Sequence, residues 1–164
     1  MKKYPFVLCV ALVVLLLDQA SKIYIRHAVR LYESIVVLDP IFHITHVHNT
    51  GGAFGILNHS NRALRVPFFV LVSLLAIAVL LAFVRRVEPG QRLLQLALGG
   101  ILGGAVGNLV DRMVAGEVTD FLDFHWHGYY WPAFNVADSC ITVGMLILLG
   151  YSLLARDDGA EQRA

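Results

Sequence analysis

The chain has 164 residues, 57% of them hydrophobic and 15% charged. A mean hydropathy of +0.67 and a charged share well below the ~25% of soluble domains exclude a disordered chain and argue against an ordinary soluble one. A net charge of +1 leaves no broad basic surface for nucleic acid, and two cysteines, Cys9 and Cys140, are too few for a disulfide framework or a four-cysteine zinc site, so both read as small apolar residues.

In chain order, Lys2, Lys3 and the apolar run 5–17 resemble a secretory signal peptide. The rival is a retained first helix running through Asp18 to Lys22. Retention is preferred, because Asp18 closes the run where a small-x-small cleavage site would be needed. Residues 66–84 carry no charge and only Ser73 as a polar side chain, long enough to cross a bilayer, with Pro67 expected at the helix start. Residues 93–110 follow, with Gln95 and Asn108 as their polar members, and the last apolar stretch is interrupted by Asn135 and Asp138. The expected spans in this single 1–164 domain are 5–26, 66–84, 93–113 and 132–155, with outer segments at 34–62 and 114–131.

Four spans place both termini on one side. The segments 1–5, 85–92 and 155–164 hold seven Lys or Arg in 23 residues, against six in about 67 for 22–66 and 112–133. That density favours cytoplasmic termini. In the outer segments, 35–38 and 42–48 are β-like runs around Asp39-Pro40, which predicts a small hairpin or sheet. Trp126, Tyr129, Tyr130 and Trp131 read as an interfacial aromatic belt.

The polar residues converge. Asp18 and Lys22 close helix one, Asn49 precedes helix two, and Asn108, Asp111 and Arg112 close helix three. Asp120 and Asp123 lie in the loop that follows, and Asn135 and Asp138 open helix four. All of these positions fall on one face of the membrane, and polar groups near hydrocarbon are costly and usually functional. Asp138 is expected about two turns inside helix four, roughly 9–10 Å below Pro132 at ~1.5 Å per residue, where burial demands a partner. Asn135, three residues earlier, is placed to orient it. Asp18 and Lys22 suit an i,i+4 salt bridge, and Asp111 reads as a local cap or ion pair. Gly99, Gly103 and Gly107, with Gly100 and Gly104 on an adjoining stripe, allow close helix approach within the unit or in a dimer. His46 and His48 alternate, and with His43, His125 or His127 they offer a zinc reading, but no His-Glu-x-x-His motif supports it and surface histidines are the default.

Two carboxylates at a membrane border suggest aspartic protease chemistry: one ionised group activates water while its protonated neighbour hydrogen-bonds the scissile carbonyl. Asp138 is the natural first member. Spacing alone leaves Asp18, Asp111, Asp120 and Asp123 open as the second. A small transporter with interior acids is the runner-up, although the acids sit at one face and no inverted repeat is visible. A non-catalytic assembly subunit held by the glycine stripe is a third reading.

The stretches 17–22, 49–54, 104–112, 118–121 and 134–139 resemble, in order, those of lipoprotein signal peptidase, also called signal peptidase II. The ordered set is specific although each piece is weak. The resemblance implies an all-α membrane protein of four transmembrane helices, a small extracytoplasmic β-sheet and a periplasmic loop or short helix. It also implies an aspartic endopeptidase that cuts diacylglyceryl-modified prolipoproteins just before the lipidated lipobox cysteine. It puts the catalytic pair at Asp120 and Asp138, supported by Asp18, Lys22, Asn49, Gly104, Asn108, Arg112, Asn135 and Ala137. Residues 34–60 are expected over the site, gripping or covering substrate, and the site itself near the outer face of the bacterial inner membrane. No metal or organic cofactor is needed for this chemistry. The expected partners are the prolipoprotein and membrane lipid, not nucleic acid, and the expected state is a monomer.

Overall fold

A computed structural model describes residues 2–51 and 61–161, with side chains through Leu154. The Gly52–Phe54 part of the Asn49 motif and the far end of the 34–60 segment lie outside the described residues. The elements are α1 (Lys3–Ala28), β1 (Ser34–Leu38), β2 (Phe42–Asn49), α2 (Arg62–Arg86), α3 (Arg92–Val114), β3 (Val118–Trp126), β4 (Tyr129–Tyr130) and α4 (Val136–Glu161). All four helices are long and apolar enough to cross a membrane. The expected hairpin is present: β1 pairs antiparallel with β2, and the sheet continues β1-β2-β3-β4.

Three expectations are corrected. The 114–131 segment is no loop, since β3 and β4 occupy most of it, and among the described residues it contains no short helix. Helix α2 begins at Arg62, where the Asn61 side chain caps it by accepting from the Ala63 N–H. Pro67 therefore lies in the second turn, not at the start. Asp138 lies in the first turn of α4, not two turns deep. The apolar residues before it are extended: Phe134 bonds back to Leu122 of β3 in both directions, at 2.8 and 3.0 Å.

α3 is the central helix, 67% of its span buried against 0% for α2. In lipid, burial of apolar area does not drive helices together, so close packing and polar bonds must. Glycine supplies the closeness. A Cβ on Gly103 would stand 2.5 Å from the Ala11 carbonyl oxygen of α1, and one on Gly104 2.5 Å from the Ala137 carbonyl oxygen of α4. The two glycine stripes thus seat α1 and α4 on adjoining faces of α3. The ends of α1, α2, α3 and α4 nearest the sheet form one end of the bundle. There Ile25, Val29 and Phe121 make a small core joining α1 to β3.

β2 carries one extra residue between Ile44 and Val47 relative to β3. Such a bulge shifts side-chain parity along the strand. Beyond it, Val47 opposes Asp120 and Asn49 opposes Val118, while before it His43 opposes Asp123. Asn49 therefore shares a face with Asp120, and His43 shares the other with Asp123.

Candidate active site

Helix α1 presents Asp18, Lys22 and Arg26 at successive i,i+4 positions toward α3. Lys22 Nζ, with no exposure, lies 2.8 Å from an oxygen of Asp18 and 2.8 Å from one of Asp111, and donates to the Asn108 side-chain oxygen at 2.9 Å. Two carboxylates and an amide around one ammonium satisfy a charge that would otherwise be too costly to bury. Asp18 spends its other oxygen on the Ala137 N–H, at 2.9 Å, at the open N-terminus of α4. Gly107 leaves room for this carboxylate, which a Cβ there would strike.

From this base the network reaches the two expected acids. Asn108 donates to Asp138 at 2.8 Å. Asn135 accepts from the Asp138 N–H at 2.9 Å and donates its own N–H to the Asp138 carboxylate at 3.3 Å, a reciprocal cap at the start of α4. The Asn135 amide nitrogen also donates to Asp120 at 2.6 Å, and Asn49 donates to the other Asp120 oxygen at 3.0 Å. Arg112 donates to the Asn108 carbonyl at 3.2 Å, stacks over Phe69 at 5.2 Å and borders the same cavity as Asp138. All ten expected positions thus lie in or directly beneath one cluster, with Gly104 and Ala137 as its α3–α4 contact point.

The other aspartates are used elsewhere. Asp111 pairs with Lys22 and with Arg26 at 2.7 Å, so its partners are on another helix and the local role expected for it is wrong. Asp123 lies on the opposite face of β3, with an oxygen 2.9 Å from His125 Nε2. Asp18 is held by Lys22 and Ala137. Among the described residues only Asp120 shares Asn135 with Asp138. Arg26 is a site residue that the sequence motifs do not single out: it bonds Asp111 and the Thr119 hydroxyl, at 2.7 and 2.9 Å, and so ties β3 to α3. The i,i+4 step from Lys22 was the signal that could have found it.

Asp120 is 2% exposed. Burial, then the neighbouring charge of Asp138, pushes its carboxyl from the ordinary 3.8 to about 7, against the opposing pull of the Asn49 and Asn135 hydrogen bonds. Near neutral pH the pair therefore holds one proton readily. Beside it a cavity of about 610 Å³ is bordered by Asn49, Arg112, Trp131, Phe134 and Asp138 and runs along Ile141, Thr142 and Val143 of α4. Its walls can receive an apolar substrate while its polar end meets Asp138, with Asp120 buried beside it.

Comparison with known proteins agrees with this geometry. Residues 10–154 match the family described as signal peptidase (SPase) II. The chain belongs to the signal peptidase II family. It is 45% identical over 148 residues to the lipoprotein signal peptidase of Syntrophotalea carbinolica, covering 89% of this chain and 91% of that one. It is 48% identical over 134 residues to that of Geobacter sulfurreducens, covering 82% of each. Two solved bacterial membrane enzymes superpose on it with TM-scores of 0.84 and 0.79 at 30% and 31% identity. They cover 93% and 90% of this chain and 90% and 92% of their own. This signal peptidase II family member is a multi-pass bacterial membrane protein and a peptidase by family.

Proposed function

We propose that this chain is a membrane aspartic endopeptidase. It removes the signal peptide from diacylglyceryl-modified prolipoproteins, cutting on the N-terminal side of the lipidated cysteine. The observation that carries this reading is Asn135, which holds the carboxylates of Asp120 and Asp138 at once. A water between the two acids loses a proton to the ionised one and attacks the scissile carbonyl carbon. The protonated acid hydrogen-bonds the carbonyl oxygen as charge develops there. Collapse of the tetrahedral intermediate returns a proton to the leaving amine. Asn108 and Asn135 fix the Asp138 carboxylate, and Asn49 and Asn135 that of Asp120. Lys22 anchors Asn108 from below. The steps use only water and side chains, so no metal or organic cofactor enters them.

The scissile bond of such a substrate lies at the end of a transmembrane signal helix, beside acyl chains. The cavity along Ile141 to Val143 supplies an apolar path from the bilayer to the acids. Lysine and arginine density supports cytoplasmic termini, which puts the sheet and the site at the outer face of the inner membrane. The contribution of Asp18 and Lys22 supports retention of α1 in the working enzyme. The 34–60 segment borders the site through Asn49 and grips or covers substrate; full activity after its deletion would refute that role. The enzyme works as a monomer, with the prolipoprotein and lipid as its partners.

The test is cleavage of a diacylglyceryl lipobox peptide by purified protein in detergent. Wild type cleaves, and Asp120→Asn and Asp138→Asn do not although both remain folded. Near-normal cleavage by either variant would break the pairing. No cleavage by wild type, where a homologue cleaves, would overturn the substrate assignment.

A further inference from the structure

On the face of β3 opposite Asp120, His43, Asp123 and His125 bring one ligand atom each within 4.8 Å of one another. His43 and Asp123 face each other across the β2–β3 ladder, and His125 follows Asp123 by two residues on the same face. The backbone holds them in place: the His125 N–H donates to the Ile41 carbonyl at 2.8 Å. The two imidazole rings lie 4.5 Å apart. His43 Nε2 is buried with no hydrogen-bond partner among the described residues. His125 Nε2 lies 2.9 Å from an Asp123 oxygen but makes no hydrogen bond. Buried ring nitrogens without bonds are costly. Two of them converging with a carboxylate form a set that one cation would satisfy.

The geometry points to a divalent transition-metal site, of a kind zinc fits, formed by His43, Asp123 and His125. Two imidazoles and a carboxylate suit zinc over magnesium or calcium, which take oxygen ligands. Tetrahedral ligands ~2.0–2.1 Å from zinc stand roughly 3.3 Å apart, so the His125–Asp123 pair is already close to that spacing and rotation of the His43 ring brings in the third. The side chains of Asp123 and His125 are 21% and 17% exposed, which leaves water access to a fourth position. Bound metal clamps β2 to β3 three residues beyond Asp120. The site is distinct from the acid pair because the β2 bulge turns His43 away from Asn49.

The experiment is equilibrium dialysis of untagged full-length protein in detergent against buffered zinc, with metal counted by mass spectrometry and cobalt substitution read by visible absorption. Wild type is expected to bind one zinc and to give an intense tetrahedral cobalt band. His43→Gln and His125→Gln should each weaken binding by at least about tenfold, and Asp123→Asn by a smaller factor. His46→Gln should bind as wild type does. In metal-free buffer the His43→Gln melting temperature should match that of wild type, and only wild type should rise on adding zinc. Stoichiometry well below one in wild type, or unchanged binding in both His43→Gln and His125→Gln, would overturn the site. Should His125→Gln fail to fold, the His43→Gln result decides alone.

Discussion

Asn135 and Asp138 cap one another: each backbone N–H bonds the other's side chain, at 2.9 and 3.3 Å. The same Asn135 amide donates to Asp120 at 2.6 Å. The start of α4 and the alignment of the two acids are thus one structural event. Asn135→Ala removes the side-chain half of the cap, worth ~1 kcal/mol of stability, and leaves Asp120 held by Asn49 alone, while the backbone N–H to Asp138 remains. Turnover of a lipobox peptide should fall about 10²-fold or more while the substrate KM changes little. An equal rise in KM and retained kcat would show that Asn135 only binds substrate.

The pair's activity should carry an alkaline limb near pH 7. Asp120 sits at about 7, and above it the shared proton is lost. The Asn49 bond favours the charged form of Asp120. Removing it in Asn49→Ala should therefore move this limb to higher pH while lowering the maximum rate. A pH profile of kcat/KM for both proteins checks it, and a limb displaced toward acid would contradict the assignment.

Stability should follow the same group with a fixed sign. In the unfolded chain Asp120 ionises near 3.8, and in the fold near 7. The fold's preference for the protonated acid is fully present below 3.8 and is lost as pH rises through 7. Asp120→Asn is neutral throughout. Relative to wild type it should gain about 3–4 kcal/mol between pH 4 and pH 8. Denaturation in detergent at the two pH values measures that difference, and an equal offset at both would refute it.

Lys22 holds three partners with no exposure of its own side chain. Lys22→Met leaves Asp18 and Asp111 without their shared cation and should cost about 3–5 kcal/mol. Asp111 keeps Arg26 while Asp18 loses its cation, so adding Asp18→Asn should restore part of the loss. A thermal-stability double-mutant cycle reports the coupling, and strictly additive losses would mean that the two groups do not interact.

Glycine positions should separate sharply. Gly104→Ala places a methyl 2.5 Å from a backbone oxygen that cannot move without α4. It should cost about 1–3 kcal/mol and lower turnover, because α4 carries Asp138. Gly150→Ala meets nothing within 4 Å and should be neutral or slightly stabilising. Matched melting and cleavage assays decide it.

The four apolar helices were legible because lipid demands length and hydropathy, and both are local. The depth of Asp138 was misjudged because residues 131–134 are apolar for another reason: they cover β3 as extended chain. Asn135 followed three residues later by Asp138 was the capping signal that marked the true helix start. β3 looked like a loop because both of its faces are in use, so Val118 to Trp126 lacks clean apolar–polar alternation. Asp120 could not be singled out from spacing, since the sheet and not the sequence interval carries it to Asp138; only the family resemblance chose it. Lys22 with Asp18 was readable at i,i+4, but Asp111 finds its partners across helices, which no local rule encodes.

The single extra residue in β2 works as a reading-frame shift for the strand. Flattening the bulge without removing a residue would put His43 and Asn49, six apart, on one face, whereas deleting one residue between Ile44 and Val47 leaves them five apart and still on opposite faces. In the flattened strand of unchanged length either Asp120 would lose its amide partner or Asp123 its histidine. Homologues shorter by that one residue are therefore expected to pair β2 and β3 as a plain ladder and keep both faces, while those of this length must keep the bulge.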